Sequence, residues 1–311
     1  MVNSQVAIAV FDIIDFEGSF DDEILDVLRE MDSIVVINKL DLIPDEKHPS
    51  EVANWVKVRL AEEGIAPLDI AIVSSKNGYG INGIFKKIKH FYPDGVEALV
   101  LGVTNVGKSS IVNRLLGLKK VTVSKYPGTT LKSVRNQIPH TKITLVDTPG
   151  LIPEGRISDL VCENCNLKMV PANEISRKTF KMSKGRALII GELLWFRVLN
   201  EDETKPIFSL YAAKDVTFHE TNEDKLKELL KTDRGDLLTP PCENCIDEYR
   251  KLERIKHRVT VKTGEELVFK GLGWIAVKRG PLEIEITAPK EAGIVLSLIH
   301  ISEPTRRVVI S

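Results

Sequence analysis

The chain has 311 residues, with 43 Lys and Arg against 44 Asp and Glu, a formal net charge of −1. With 43% hydrophobic and 28% charged residues it can bury one large core or two ordinary ones, which excludes a disordered chain, a fibre and a disulfide-stapled miniprotein. A globally basic nucleic-acid binder is excluded, though a local basic patch is not, and no apolar run approaches the ~20 residues of a membrane-spanning helix.

From Val6 to Phe91, strand-like and helix-like stretches alternate. Val6 to Ile14, Ser33 to Ile37 and Leu68 to Val73 read as strands. Asp21 to Met31, Ser50 to Glu63 and Ile81 to Phe91 read as helices. That rhythm predicts a parallel sheet covered on both faces. It continues with a strand at Glu97 to Val103, a helix at Lys108 to Leu116 and a hairpin from Ser133–Pro139 and Lys142–Val146. Beyond Pro153 the pattern becomes strand-rich, with runs at Ala187–Ile190, Ile207–Ala212, Arg258–Val261, Glu266–Phe269, Trp274–Val277 and Leu282–Thr287 and one helix at Glu223 to Leu230. The expected fold is an α/β domain (1–155) followed by a mostly β domain (156–295). Residues 296–311, with Ser-Leu-Ile-His-Ile-Ser-Glu-Pro-Thr-Arg-Arg, resemble translated sequencing-adapter readthrough, the alternative being a basic tail; they are expected to be non-native.

Gly102-Val103-Thr104-Asn105-Val106-Gly107-Lys108-Ser109, followed by Ser110, fits G-x-x-x-x-G-K-[ST] between a strand and a helix. Its backbone amides are expected to wrap phosphates, with Lys108 reaching the outer ones and the Ser109 hydroxyl ligating Mg2+. Asp147-Thr148-Pro149-Gly150 ends a strand as a D-x-x-G switch does. There Asp147 would hold Mg2+ through water and the Gly150 amide would sense the γ-phosphate. Between them, Tyr126-Pro127-Gly128-Thr129-Thr130 would offer a hydroxyl to Mg2+, from Thr130 first and Thr129 second.

The base-reading motifs precede these. Asn38-Lys39-Leu40-Asp41 closes one strand and Ser74-Ser75-Lys76 another. An Asp carboxylate can accept from the guanine N1–H and exocyclic amine together, a pattern adenine lacks. Asn38 would tie the site to the phosphate loop, Lys39 would lie over the purine, and the Ser74–Lys76 backbone would meet the guanine carbonyl. Ordinary GTPases carry these motifs last; here they come first, so the order implies a circular permutation, and the α/β domain (1–155) is expected to be a circularly permuted Ras-like P-loop GTPase domain. Because the chain then leaves Asp147 directly for the second domain, GTP ordering of the switch would pull on that domain.

These residues resemble the YqeH-like circularly permuted GTPases of small-ribosomal-subunit assembly, relatives of organellar nitric-oxide-associated proteins. The likeness rests also on Phe11-Asp12-Ile13-Ile14-Asp15-Phe16-Glu17-Gly18-Ser19, Gly235-Asp236-Leu237-Leu238-Thr239-Pro240-Pro241 and Phe269-Lys270-Gly271-Leu272-Gly273-Trp274. The resemblance implies a GTP/GDP-binding, GTP-hydrolysing factor on the small subunit or its rRNA. Basic groups at Arg177-Lys178, Arg250-Lys251 and Lys256-His257-Arg258 suit phosphate contacts, the alternative being an ordinary solvated surface. The rival reading is a nucleotide-gated switch that docks a protein without touching RNA. The family's N-terminal zinc finger is missing, so a truncated N-terminus is expected. The compartment would be cytoplasmic if bacterial, or mitochondrial or plastid if a transit peptide is missing.

Leu151, after Gly150, cannot orient a water, so catalysis is expected to rest on Lys108, Thr130 and Asn105. In related GTPases an Asn at this position helps hold K+, which substitutes for an arginine finger; bracing the loop is the other reading of Asn105. The four cysteines form two Cys-Glu-Asn-Cys tetrapeptides, Cys162/Cys165 and Cys242/Cys245. A shared Zn2+, two redox pairs and ordinary buried residues all remain open at this level.

Overall fold

The computed structural model describes residues 5–43, 49–117, 133–170, 175–201, 205–232 and 237–297. The chain forms two compact units, Met1–Pro153 and Glu154–Ser311. Among the described residues no helix is long and apolar enough to cross a membrane.

The first unit runs β1 (Val6–Asp12), α1 (Phe16–Ser19), α2 (Asp22–Glu30), β2 (Ser33–Asn38), α3 (Pro49–Glu62), β3 (Asp69–Ile72), α4 (Ile81–Phe91), β4 (Val96–Leu101), α5 (Lys108–Leu115), β5 (Val134–Gln137) and β6 (Ile143–Asp147). Its sheet has the order β3-β2-β1-β4-β6-β5, parallel except for β5, which pairs antiparallel with β6. Every residue of β1 and β2 is buried, as strands covered on both faces require. The helices supply that cover through one apolar face each, such as Ile24, Leu25 and Leu28 on α2 and Ile81, Ile84 and Ile88 on α4. Asp21 starts α2 by accepting from the Glu23 amide at 3.0 Å. Strand β1 stops at Asp12 rather than Ile14, because the Asp12 carboxylate accepts the Ile14 amide at 3.0 Å and turns the chain.

Parallel pairing puts the carboxyl ends of β1, β2, β3, β4 and β6 at one edge of the sheet. There Asn38 ends β2, Ser74 follows β3, Gly102 follows β4 and Asp147 ends β6. The first strand of the chain lies between β2 and β4, in register Val10↔Val36 and Val6↔Ala98. The strands that carry the base-reading motifs therefore stand beside the phosphate-loop strand although they precede it in sequence.

The second unit contains α6 (Glu163–Met169), β7 (Ile175–Lys181), β8 (Arg186–Ile190), β9 (Leu194–Val198), β10 (Ile207–Ala213), β11 (Phe218–Asn222), α7 (Glu223–Thr232), α8 (Ile246–Arg250), β12 (Arg254–Val261), β13 (Glu266–Phe269), β14 (Gly273–Arg279), β15 (Leu282–Pro289) and β16 (Ile294–Ser297). Two five-stranded antiparallel sheets result, β16-β13-β14-β10-β7 and β11-β8-β9-β15-β12. Their inner faces share one core: Phe208, Leu210, Ile275 and Phe269 from the first sheet meet Leu188, Phe196, Ile284 and Ile286 from the second. Helix α7 lays Leu226 on Ala187 and Ile189, covering part of the second sheet's outer face. Strand β16 includes Leu296 and Ser297, paired with Leu267 and Glu266, so the ordered sheet runs two residues into the stretch expected to be non-native; residues 298–311 lie outside the described residues.

Candidate functional site

The phosphate loop joins β4 to α5, and its glycines are fixed by close packing. Gly107 has φ +94°, and a Cβ there would stand 2.3 Å from the Asn38 amide nitrogen; one at Gly102 would stand 2.6 Å from the Val10 carbonyl. Asn105 is also left-handed, at φ 67°. Thr104 is buried and donates its amide to the Leu151 carbonyl at 2.8 Å, while the Leu151 amide donates to Gly102 at 3.3 Å. The D-x-x-G segment is thereby bridged to the phosphate loop by backbone alone. Gly150 lies against the Lys108 ammonium, where a Cβ would come within 3.1 Å.

Lys108 and Asp147 are both buried, and Lys108 donates to the Gly102 carbonyl at 2.9 Å. Burial lowers the Lys108 pKa, with Asp147 pulling it back up, and raises that of the Asp147 carboxyl against the opposing pull of Lys108. Asp147 Oδ1 is buried with no hydrogen-bond partner among the described residues. An orphaned carboxylate oxygen beside a phosphate loop suits a hard divalent cation, so the donor set fits Mg2+. Ser109 and Ser110, half-buried, open the first turn of α5. The Asn105 Nδ2 atom is likewise buried and unpartnered. An amide flip puts Oδ1 in its place, so Asn105 fits a cation as well. Thr129, Thr130 and the rest of 118–132 lie outside the described residues.

The guanine-reading motifs come together around Asn38. Its Nδ2 donates to the Val106 carbonyl at 2.8 Å and to Ser75 Oγ at 3.1 Å, and its Oδ1 accepts the Ser75 amide at 2.8 Å. One buried side chain therefore holds the phosphate loop and the Ser74–Lys76 loop in register. Asp41 accepts the Ser74 hydroxyl at 2.5 Å. Lys39, left-handed at φ 68°, pairs its ammonium with Asp12.

Two residues outside the motif readings hold this geometry. Asp12 anchors Lys39 and was visible in sequence only as part of the family's entry segment. Arg114, in the last turn of α5, donates Nε to the Ser75 carbonyl and Nη2 to the Lys76 carbonyl at 2.5 Å. In sequence Arg114 reads as a basic residue complementing the helix dipole, and nothing local marks it as the clamp of a distant loop.

In the second unit the four cysteines converge. Their Sγ atoms lie within 4.8 Å of one another, with Cys165 and Cys245 buried and Cys162 and Cys242 half-buried. Of the basic groups, Arg250 is held by Glu192 at 2.5 Å, whereas Lys256 and Arg258 remain exposed and share the Glu285 carboxylate. Arg177 lies over the Tyr211 ring.

A parallel sheet with a phosphate loop, a D-x-x-G switch and guanine motifs at one edge, in permuted order, defines a circularly permuted P-loop GTPase. Residues 97–186 match the family described as 50S ribosome-binding GTPase, and residues 205–298 match YqeH-like, C-terminal. The chain is 29% identical to the "Uncharacterized protein YqeH" of Bacillus subtilis over 92% of its own length and 78% of that protein. It is 26% identical to "NO-associated protein 1, chloroplastic/mitochondrial" of Arabidopsis thaliana over 87% of its length and 54% of the plant protein. "GTPase Der" of Clostridium perfringens is 31% identical over half of this chain and 38% of its own. In both units, then, the chain is similar to the YqeH-like circularly permuted GTPases. It spans about half the length of its plant relatives.

Proposed function

We propose that the protein is a GTP-hydrolysing ribosome-assembly factor that binds the small subunit or its rRNA in a nucleotide-dependent way. The observation carrying this reading is the continuity between switch and second unit. The segment bridged to the phosphate loop at Leu151 continues in sequence through Pro153 into the second unit, so a change at the γ-phosphate end would reach that unit through the chain itself. The description of the family that residues 97–186 match, a 50S ribosome-binding GTPase, supports a ribosomal partner and makes the choice of subunit the point to test.

In this reading Asp41 selects guanine, Asn38 and Arg114 hold the base-reading loop, and the glycine-rich loop with Lys108 binds the phosphates. Asp147, Ser109 and Thr130 would hold Mg2+, which neutralises charge on the phosphates. Leu151 offers no group to a water, so Lys108 must carry much of the charge that spreads during phosphoryl transfer, with Asn105 as a ligand for K+. Burial has already raised the free energy of the charged Lys108, so a phosphate brought against it relieves a cost rather than breaking a strong pair. The compartment follows the source: bacterial cytoplasm, or plastid or mitochondrion.

Sucrose-gradient sedimentation of the protein with 30S and 50S particles, in GDP or a non-hydrolysable GTP analogue, tests the proposal. Co-migration with 30S only in the triphosphate state is expected. Binding to 50S instead would overturn the small-subunit assignment, and binding to neither would favour a protein-docking switch.

A further inference from the structure

Each Cys-Glu-Asn-Cys tetrapeptide opens a short helix. Cys162 caps α6 and Cys165 sits in its first turn; Cys242 forms the turn before α8 and Cys245 caps it. Matching backbone bonds shape the two turns: the Asn166 amide donates to Cys162 at 2.9 Å and the Ile246 amide to Cys242 at 2.9 Å. Two distant pieces of chain thus present the same knuckle to each other.

Three sulfur-to-sulfur separations have closely similar lengths: 3.7 Å for Cys162–Cys242, 3.9 Å for Cys242–Cys245 and 3.8 Å for Cys165–Cys245. Four sulfurs placed about 2.3 Å from a tetrahedral zinc ion stand about 3.8 Å apart along each edge, so the cluster has the dimensions of that shell. A disulfide requires about 2.05 Å, far shorter than any of these separations. The Cys242 amide also donates to Cys165 Sγ at 3.2 Å, the kind of support a metal-bound thiolate receives.

We propose that Cys162, Cys165, Cys242 and Cys245 bind one zinc ion as a closed structural centre that folds α6 and α8 onto the β sandwich. Helices of 7 and 5 residues do not hold by themselves. One helical turn beyond Cys165 and Cys245 stand Met169 and Tyr249, and both enter the main core of the unit. Tyr249 is fully buried and donates its hydroxyl to the Leu193 carbonyl at 3.0 Å. Each helix is therefore fixed at its start by the ion and at its end by the core. With four protein ligands and no open position, the centre does no hydrolytic chemistry. Its effect is mechanical: the segment that leaves the GTP switch is fastened to the β unit at Cys162. Zinc rather than iron is assigned because neither the site nor the GTPase reaction calls for electron transfer, and zinc is redox-inert.

The 311-residue chain contains only these four cysteines, so metal stoichiometry reads the site directly. Elemental analysis of the unmodified protein, purified without chelator, is expected to give one zinc per chain and no visible colour. Cobalt exchange should produce the absorption of a tetrahedral tetrathiolate site. Cys162→Ser and Cys242→Ser should each lose the metal, and because such variants can misfold, the count on the unmodified chain decides. A zinc-free chain with four titratable thiols, a chain with disulfides, or an iron-coloured one would overturn the assignment. Chelation should melt the β unit while leaving guanine-nucleotide affinity in the first unit unchanged. Unaltered melting after zinc removal would overturn the structural role, and neither result bears on the GTPase reading.

Discussion

Asn38→Ala removes a buried amide that is hydrogen-bonded to both nucleotide loops at once. The truncation deletes the donor to the Val106 carbonyl (2.8 Å), the donor to Ser75 Oγ (3.1 Å) and the acceptor of the Ser75 amide (2.8 Å). Asn38 is fully buried, so bulk water cannot replace it at these positions. The Ser75 hydroxyl can rotate to another partner, but the Val106 carbonyl and Ser75 amide cannot. At ~1–2 kcal/mol for each group left unpaired, the expected loss is about 2–4 kcal/mol. Loss of register between the loops should also weaken GDP binding, by about 10- to 100-fold if 1.4–2.8 kcal/mol of that cost falls on the binding-competent state. Hydrogen-exchange mass spectrometry localises the destabilisation to the first unit, and titration with a fluorescent GDP analogue measures affinity. Asn38→Asp separates hydrogen bonding from volume: it keeps the size and the Oδ1 acceptor but turns the donor facing Val106 into an oxygen, so it should be at least as damaging. If Asn38→Ala changes stability by less than ~0.5 kcal/mol and leaves GDP affinity intact, the bridge between the loops carries no energy and the reasoning fails.

Asp41→Asn keeps a partner for the Ser74 hydroxyl but loses the double acceptor for guanine. It should shift preference toward xanthine nucleotides, and undiminished GTP affinity in competition binding would sink the base-site assignment. Arg114→Ala should raise the Kd for GDP about tenfold, ~1.4 kcal/mol, with little change in melting temperature. Arg114→Lys should not restore affinity, since an ammonium lacks the planar fork that reaches two carbonyls; full rescue by Lys would refute the clamp. Turnover should be faster in K+ than in Na+ at equal ionic strength. Asn105→Ala should erase that difference while sparing affinity, and equal rates for the unmodified protein in the two salts would remove K+ from the mechanism.

Local sequence determined the elements whose signal is local. The β1 and β2 strands are built on the apolar runs Val6–Phe11 and Ile34–Ile37, α4 is bounded in the structure as its apolar spacing predicts, and the glycines of the phosphate loop are dictated by positive φ and by contacts that leave no room for a Cβ. Motif order alone implied the permutation, and parallel pairing of β1 with both β2 and β4 brings the reordered motifs to one edge. The β unit was less legible. Strand β7, Ile-Ser-Arg-Lys-Thr-Phe-Lys, is a largely exposed edge strand with almost no apolar alternation, and β12 begins at Arg254 rather than Arg258, its first four residues holding one apolar side chain, Ile255, and none that is fully buried. Their identity as strands comes from antiparallel partners, β10 and β15, far away in the chain. The same holds for the long-range contacts of the sites. That Asn38 meets Val106, that Arg114 reaches Ser75 and that Cys162 meets Cys242 depends on which strands lie side by side, and hydrogen bonds and sulfur contacts across such separations leave no mark on the residues flanking them. Sequence named the chemistry each residue can do; tertiary structure decided which of those residues meet.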